Sequence, residues 1–305
     1  MPVATSNRAQ FTYIPEVTYG VTPGVGTMKI VRYTGESVDN NYSFTESAEI
    51  ISDRMTTDMV RVGAGAAGDV NFELSYGMFD EWFEGAAGGT WTTNVLKTGT
   101  TARSFTLEKQ FLDITQFLAF PGQRIDTMRL ELRSGQIATG SFGFVGRQSI
   151  AMAATTVRAG TTAATTNTVM APVDSLSVLT EGGSAMAGCS ELTMSLSNSL
   201  RPLNVINSAD PLDINAGRQR LTGTLMIYFE NATLFAKFRS LATTALVAKI
   251  GGASTLNYNF LIPKVKITKA TIVAGGGDQD LMVACEWTAL KDTTEGSLYT
   301  ITRTP

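Results

Sequence analysis

The sequence predicts a mainly β protein with two short helices, built as two tandem copies of one unit. Three observations carry this reading: runs of period-two alternation, two brief stretches of helical spacing, and a strand-plus-helix pattern that recurs along the chain.

The alternation is clear in five places. Val70, Phe72 and Leu74 alternate with Asn71, Glu73 and Ser75, and Leu130 and Leu132 with Arg129, Glu131 and Arg133. Leu192, Met194 and Leu196 repeat the pattern, as do Leu225, Ile227 and Phe229, then Leu281, Val283, Cys285 and Trp287. Bounded by Gly, Asn, Asp and Thr, such runs are antiparallel strands with one buried face. Helical spacing appears at 79–87, where Phe79, Trp82, Phe83 and Ala86 follow Gly77 and the early acids Asp80 and Glu81 suit the helix dipole. A second helix is predicted over 232–242, with Leu234, Phe235, Phe238 and Leu241 on one face and Lys237 and Arg239 late. Phe79, Trp82, Phe83, Leu234, Phe235 and Phe238 are therefore the expected helix-packing residues.

Both helices follow matching strands. Aligning Gly68 with Gly223 (223 − 68 = 155) also matches Val70 to Leu225, Phe72 to Ile227, Leu74 to Phe229, Phe79 to Leu234 and Phe83 to Phe238. Downstream the order recurs: an aromatic strand (Phe105, Leu107; Tyr258, Phe260), a proline (Pro121; Pro263), a basic alternating strand and a glycine turn (Gly135; 275–277). Identity between the copies is low, so chance agreement of two strand-plus-helix patterns is the alternative. The division is an N-terminal arm (1–27), a first unit (28–150), an Ala/Thr-rich linker or arm (151–172) and a second unit (173–305). An edge strand is the other reading of the linker, since Thr favours strands. Residues 39–67 read as a long, polar, irregular loop ending in the glycine- and alanine-rich string from Gly63 to Gly68. A loop of that length is functional or mobile, or else a solvated hairpin.

Composition removes whole classes of chemistry. The chain has 305 residues, 43% hydrophobic and 17% charged, enough apolar content for a folded core. It has no histidine, which eliminates Ser-His-Asp and Cys-His nucleophiles, H-E-x-x-H zinc sites and the commonest general base. Cys189 and Cys285 have no metal-ligand spacing and are expected to pack as small apolar residues. Net charge is −3 with Lys and Arg scattered singly, so no basic face for tight duplex binding is visible. No apolar run approaches the roughly 18 residues of a membrane span, and the N-terminus lacks a secretory pattern, so the protein is expected to stay where it is made. Gly24, Gly26 and Lys29 miss the phosphate-loop spacing. Carboxylate pairs such as Asp80 with Glu84 or Glu46 with Glu49 are better explained by a helix face and a polar loop. No enzyme activity, metal or cofactor is expected.

Several segments resemble the tail tube, or major tail, proteins of phages with long non-contractile tails. They are M-K-I-V-R-Y-T-G-E-S (Met28 to Ser37), S-D-R-M-T-T-D (Ser52 to Asp58) and G-D-V-N-F-E-L-S-Y-G-M-F-D-E-W-F-E (Gly68 to Glu84). Two later runs extend the likeness: L-E-K-Q-F-L-D-I-T-Q-F-L-A-F-P-G-Q-R-I-D-T-M-R-L (Leu107 to Leu130) and G-S-F-G-F-V-G-R (Gly140 to Arg147). The likeness is strongest in the first half and looser from Ala187 onward. It implies tandem sandwich- or barrel-like β units, each with one flanking helix, that join sheet edges with sister copies into stacked rings. Two units per chain imply three chains per pseudo-sixfold ring.

It further implies a virion tail component assembled in the host bacterial cytoplasm, without membrane contact. The implied partners are the chain itself, the tape-measure protein, the tail terminator and distal tail or baseplate proteins, with double-stranded DNA passing through unbound. Ser52, Asp53, Arg54, Asp58 and Arg61 are the candidate contacts between rings. A virion decoration or carbohydrate-binding β protein is the alternative, which an exposed aromatic platform would favour.

Overall fold

The computed structural model describes residues 3–173, 178–230, 232–252, 255–273, 276 and 280–305. Met1, Pro2 and two glycines of the expected turn, Gly275 and Gly277, lie outside them. The first half contributes strands β1 (Ala9–Pro15), β2 (Met28–Ile30), β3 (Asp39–Glu46) and β4 (Met59–Glu73), helix α1 (Asp80–Ala87), then β5 (Phe105–Phe111), β6 (Gln116–Arg133) and β7 (Thr139–Gly146). The second contributes β8 (Cys189–Ser197), β9 (Arg220–Tyr228), helix α2 (Thr233–Ser240), β10 (Thr243–Gly251), β11 (Asn257–Val273), β12 (Met282–Ala289) and β13 (Thr300–Thr304). With shorter pieces between them, 18 strands among the described residues share one hydrogen-bonded network.

The two halves pair their strands in the same order. In the first, β3 pairs with β4, β4 with β7, β7 with β6 and β6 with β5. In the second, β8 pairs with β9, β9 with β12, β12 with β11 and β11 with β10. The long strands β6 and β11 each serve two layers. Their N-terminal parts pair with β5 and β10, and in both the register slips at the proline, between Phe120 and Gln123 around Pro121 and between Ile262 and Val265 around Pro263. Proline has no N–H to give a ladder, so it is tolerated at such a bulge. A second bulge leaves out Asp126 in β6 and Thr268 in β11. The aromatic strands matched by sequence occupy different places: Phe105 and Leu107 lie on β5, whereas Tyr258 and Phe260 lie on β11 itself, ahead of Pro263. Aromatic content misled there, because both the short strand and the long one bury rings.

Helix α1 flanks the sheet and sinks one face, Trp82, Phe83, Ala86 and Ala87, deep into the core. Trp82 packs on Tyr13, Phe79, Phe142 and Phe144, while Phe83 meets Phe142 in its own half and Tyr258 and Phe260 in the other. Gly85 permits that depth: a Cβ there would press on the Phe105 ring and Ile125. Gly68 and Gly223 share a similar constraint, since a Cβ would overlap the backbone of the adjacent strand at Ser37 and at Thr193.

Three expectations change, and one open alternative is decided. Residues 9–15 of the expected arm form β1, buried at Phe11, Thr12, Tyr13 and Ile14 and paired along β5; burial on both faces erased the alternation that would have marked it. Of the two readings of residues 39–67 the hairpin holds, as β3–β4, and the small residues 63–68 are strand because each pairs with β3 or β7. The 151–172 segment lies along the first half. Thr161 and Thr162 pair with Met28 and Lys29, Met170 is buried, and the fully buried Glu108 accepts hydrogen bonds from the Thr156 hydroxyl and Val157 N–H. Finally, α2 has no buried residue: Leu234, Phe235 and Phe238 are only half-buried, because the helix rests on β11 with one face and is otherwise tied at its side, through Lys237 to Glu181.

Candidate assembly surfaces

Three surfaces stand out: the protruding hairpin, a polar face of the sheet, and the seam joining the two halves.

The β3–β4 hairpin projects beyond its neighbours and exposes Tyr42, Phe44, Met59, Val60 and Val62 on its stem and Ile50, Ile51 and Met55 near its tip. Its stem closes with a bond from Ser47 N–H to the Asp58 carbonyl at 2.9 Å. Ser52, Asp53, Arg54, Asp58 and Arg61 are all exposed on it. Asp53 accepts the Met55 N–H at 3.0 Å and so shapes the tip, while Arg61 lies over the Tyr42 ring at 5.2 Å. The six helix-packing residues divide: Phe79, Trp82 and Phe83 are core, while Leu234, Phe235 and Phe238 stay at its margin.

The sheet face opposite the core is polar across both halves. Strand register lines up Glu73, Thr139, Glu131, Thr193, Thr224, Glu286 and Lys269 in one continuous row. Three of the cations on this face are held by carboxylates. Arg129 lies 2.6 Å from Glu131, Arg133 lies 3.5 Å from Glu131 and 3.2 Å from Glu191, and Lys269 lies 2.9 Å from Glu286. Such exposed pairs add little stability, but they neutralise Arg129, Arg133 and Lys269, while Lys266 and Arg220 share the face without an ion pair among the described residues. These residues were legible in sequence only as the polar partners of each alternating run, and were not singled out as a site.

The seam between the halves is sheet pairing. The C-terminal part of β6 runs antiparallel to β8, with Leu132 facing Leu192, Leu130 facing Met194 and Met128 facing Leu196. The segment connecting β8 to β9 then docks on the first half. The Asn198 amide donates to the Ala86 and Ile125 carbonyls, each at 3.0 Å, and Arg124 pairs with Asp213 at 2.7 Å. A second tie uses Asp80 at the start of α1, which holds Arg303 of β13 and accepts the Tyr258 hydroxyl. Burial, then the neighbouring Asp80 carboxylate, pushes the Tyr258 phenol far above its usual range, so it remains a donor.

This protein is thus a continuous β assembly whose halves share sheet pairing along β6 and β8 and again where Thr300–Thr302 of β13 pair with Val95–Lys97, and it carries an apolar-bearing hairpin. No curated protein matches the chain. The family whose description is phage tail tube protein matches residues 6–289, nearly the whole length, and the chain belongs to that family, as a structural component of phage tails.

Proposed function

We propose that the two halves are copies of one tail tube unit and that three chains close into a pseudo-sixfold ring, with rings stacking into the conduit through which DNA leaves the virion. The observation that carries this reading is the shared pairing order of the halves, down to the bulges at Pro121 and Pro263 and at Asp126 and Thr268. Sheet edges left open in a lone subunit are a liability that ring closure removes. The polar face is the conduit wall in this arrangement. A wall in which Arg129, Arg133 and Lys269 are paired with Glu131, Glu191 and Glu286 offers phosphates a weakened counterion-releasing grip.

Negative-stain microscopy of the concentrated protein tests the assembly. Rings or tubes are expected, and particles of single-chain mass at all concentrations would overturn it. The wall assignment has its own test. The combined variant Glu131→Gln, Glu191→Gln and Glu286→Gln should assemble as before but retain duplex DNA about tenfold more strongly at low salt, fading by roughly 0.2 M. Equal retention by variant and parent tubes would show that this face is not the wall.

A further inference from the structure

We propose that neighbouring copies join by repeating the chain's own seam: residues 269–272 of β11 in one copy pair antiparallel with residues 38–41 of the next. In that register Ile272 faces Val38, Thr271 faces Asp39, Ala270 faces Asn40 and Lys269 faces Asn41. The inference rests on the ring proposed above and adds its chemistry at residue level.

The register follows from two internal superpositions. Pro121 with Pro263 and the bulged Asp126 with Thr268 place β6 on β11 with one offset (263 − 121 = 268 − 126 = 142). Gly68 with Gly223 places β4 on β9, and their outer neighbours then coincide. Asp39 opposes Ala67 as Ser195 opposes Thr222, and Asn40 opposes Ala66 as Leu196 opposes Leu221. The internal pairs Leu130–Met194, Arg129–Ser195, Met128–Leu196 and Thr127–Ser197 translate directly into the four proposed ones.

Neither edge carries a paired strand: among the described residues β10 accompanies β11 only as far as Lys266, and no strand lies on the outer side of β3. Facing is consistent: Ile272 and Ala270 oppose the core-side Val283 and Cys285 of β12 respectively, as Val38 is core, whereas Lys269 and Thr271 meet Asn41 and Asp39 on the polar face. A slip by one residue would invert every pair. Charge agrees too, since Lys269 falls diagonal to Asp39 across the joint. Ile272 is 43% exposed while Leu130, its counterpart at the internal seam, is 1% exposed, the difference a partner strand would remove. Tyr42 and Phe44 occupy the places of Asn198 and Leu200, which in the internal seam dock on the preceding half.

Facing residues of antiparallel strands have Cα atoms roughly 4.5–5.5 Å apart, within disulfide reach. Full-length Lys269→Cys/Asn41→Cys protein, assembled and mildly oxidised, should give a non-reducing ladder ending at three chains. The shifted pair Lys269→Cys/Asn40→Cys should stay monomeric. Burial pushes the Cys189 and Cys285 thiols up to about 11, so they remain protonated and quiet near neutral pH. A ladder from the shifted pair, or none from the matched pair in tubes visible by microscopy, overturns the register while leaving the ring standing. Absence of rings from the unsubstituted protein overturns both. Should the first pair block assembly, Thr271→Cys/Asp39→Cys reads the same register.

Discussion

Trp82→Ala is expected to lower folding stability by about 3–5 kcal/mol, the largest effect of any single truncation in the chain. The indole is 1% exposed and its ring centre lies 5.0 Å from Phe144, 5.2 Å from Tyr13, 5.4 Å from Phe142 and 5.7 Å from Phe79. Those rings come from β1, β4's exit, and β7, so the cavity left behind would border several elements at once and could not collapse around one. A fall in Tm of roughly 5–8 °C should accompany it. The indole N–H has no partner within the protein. Trp82→Phe, which keeps most of the apolar volume and removes that unsatisfied donor, should therefore lose far less. Equal melting of the Ala variant and the parent would show that α1 does not sink this face into the core.

The second large effect is on assembly. Replacing residues 47–58 with a two-residue Asn-Gly turn shortens the hairpin where its stem already closes, between Ser47 and Asp58. All of the removed side chains except Ser47 are exposed, and they contribute nothing to the core, so Tm should move by no more than a few degrees. Tube length, measured by microscopy, should collapse to single rings or short stacks, because the apolar tip residues Ile50, Ile51 and Met55 and the polar Ser52, Asp53, Arg54 and Asp58 go together. Arg61, on the retained stem, separates the two parts of the surface: Arg61→Ala alone should shorten tubes less. Tubes of parental length from the shortened hairpin would remove this loop from the contacts between rings.

What the sequence revealed and what it hid follow the same physics. Strands buried on one face announced themselves, since Val70, Phe72 and Leu74, or Leu192, Met194 and Leu196, must alternate with polar neighbours that stay wet. β1 did not, because Phe11 through Ile14 are buried without a break. The 63–68 run was silent for the opposite reason, having too little side chain to show a period although its backbone is paired. The docking of 151–172 depends on Glu108, a buried carboxylate whose partners lie some fifty residues away, and nothing local in sequence marks such a contact. The helices were legible in place but not in depth: α1 and α2 carry similar apolar spacing, yet α1 buries four residues and α2 none. The polar face was present as the other half of each alternation, and became a surface only once register set Glu131, Thr193, Thr224 and Glu286 side by side.

Because β6 and β8 belong to one polypeptide, their mutual concentration is set by a tether and does not fall when the protein is diluted. In a ring of three such chains, half of the joints form during folding, and only three bodies, not six, surrender translational and rotational freedom. Nucleation should then have a lower kinetic order and a lower critical concentration than in a ring of separate halves.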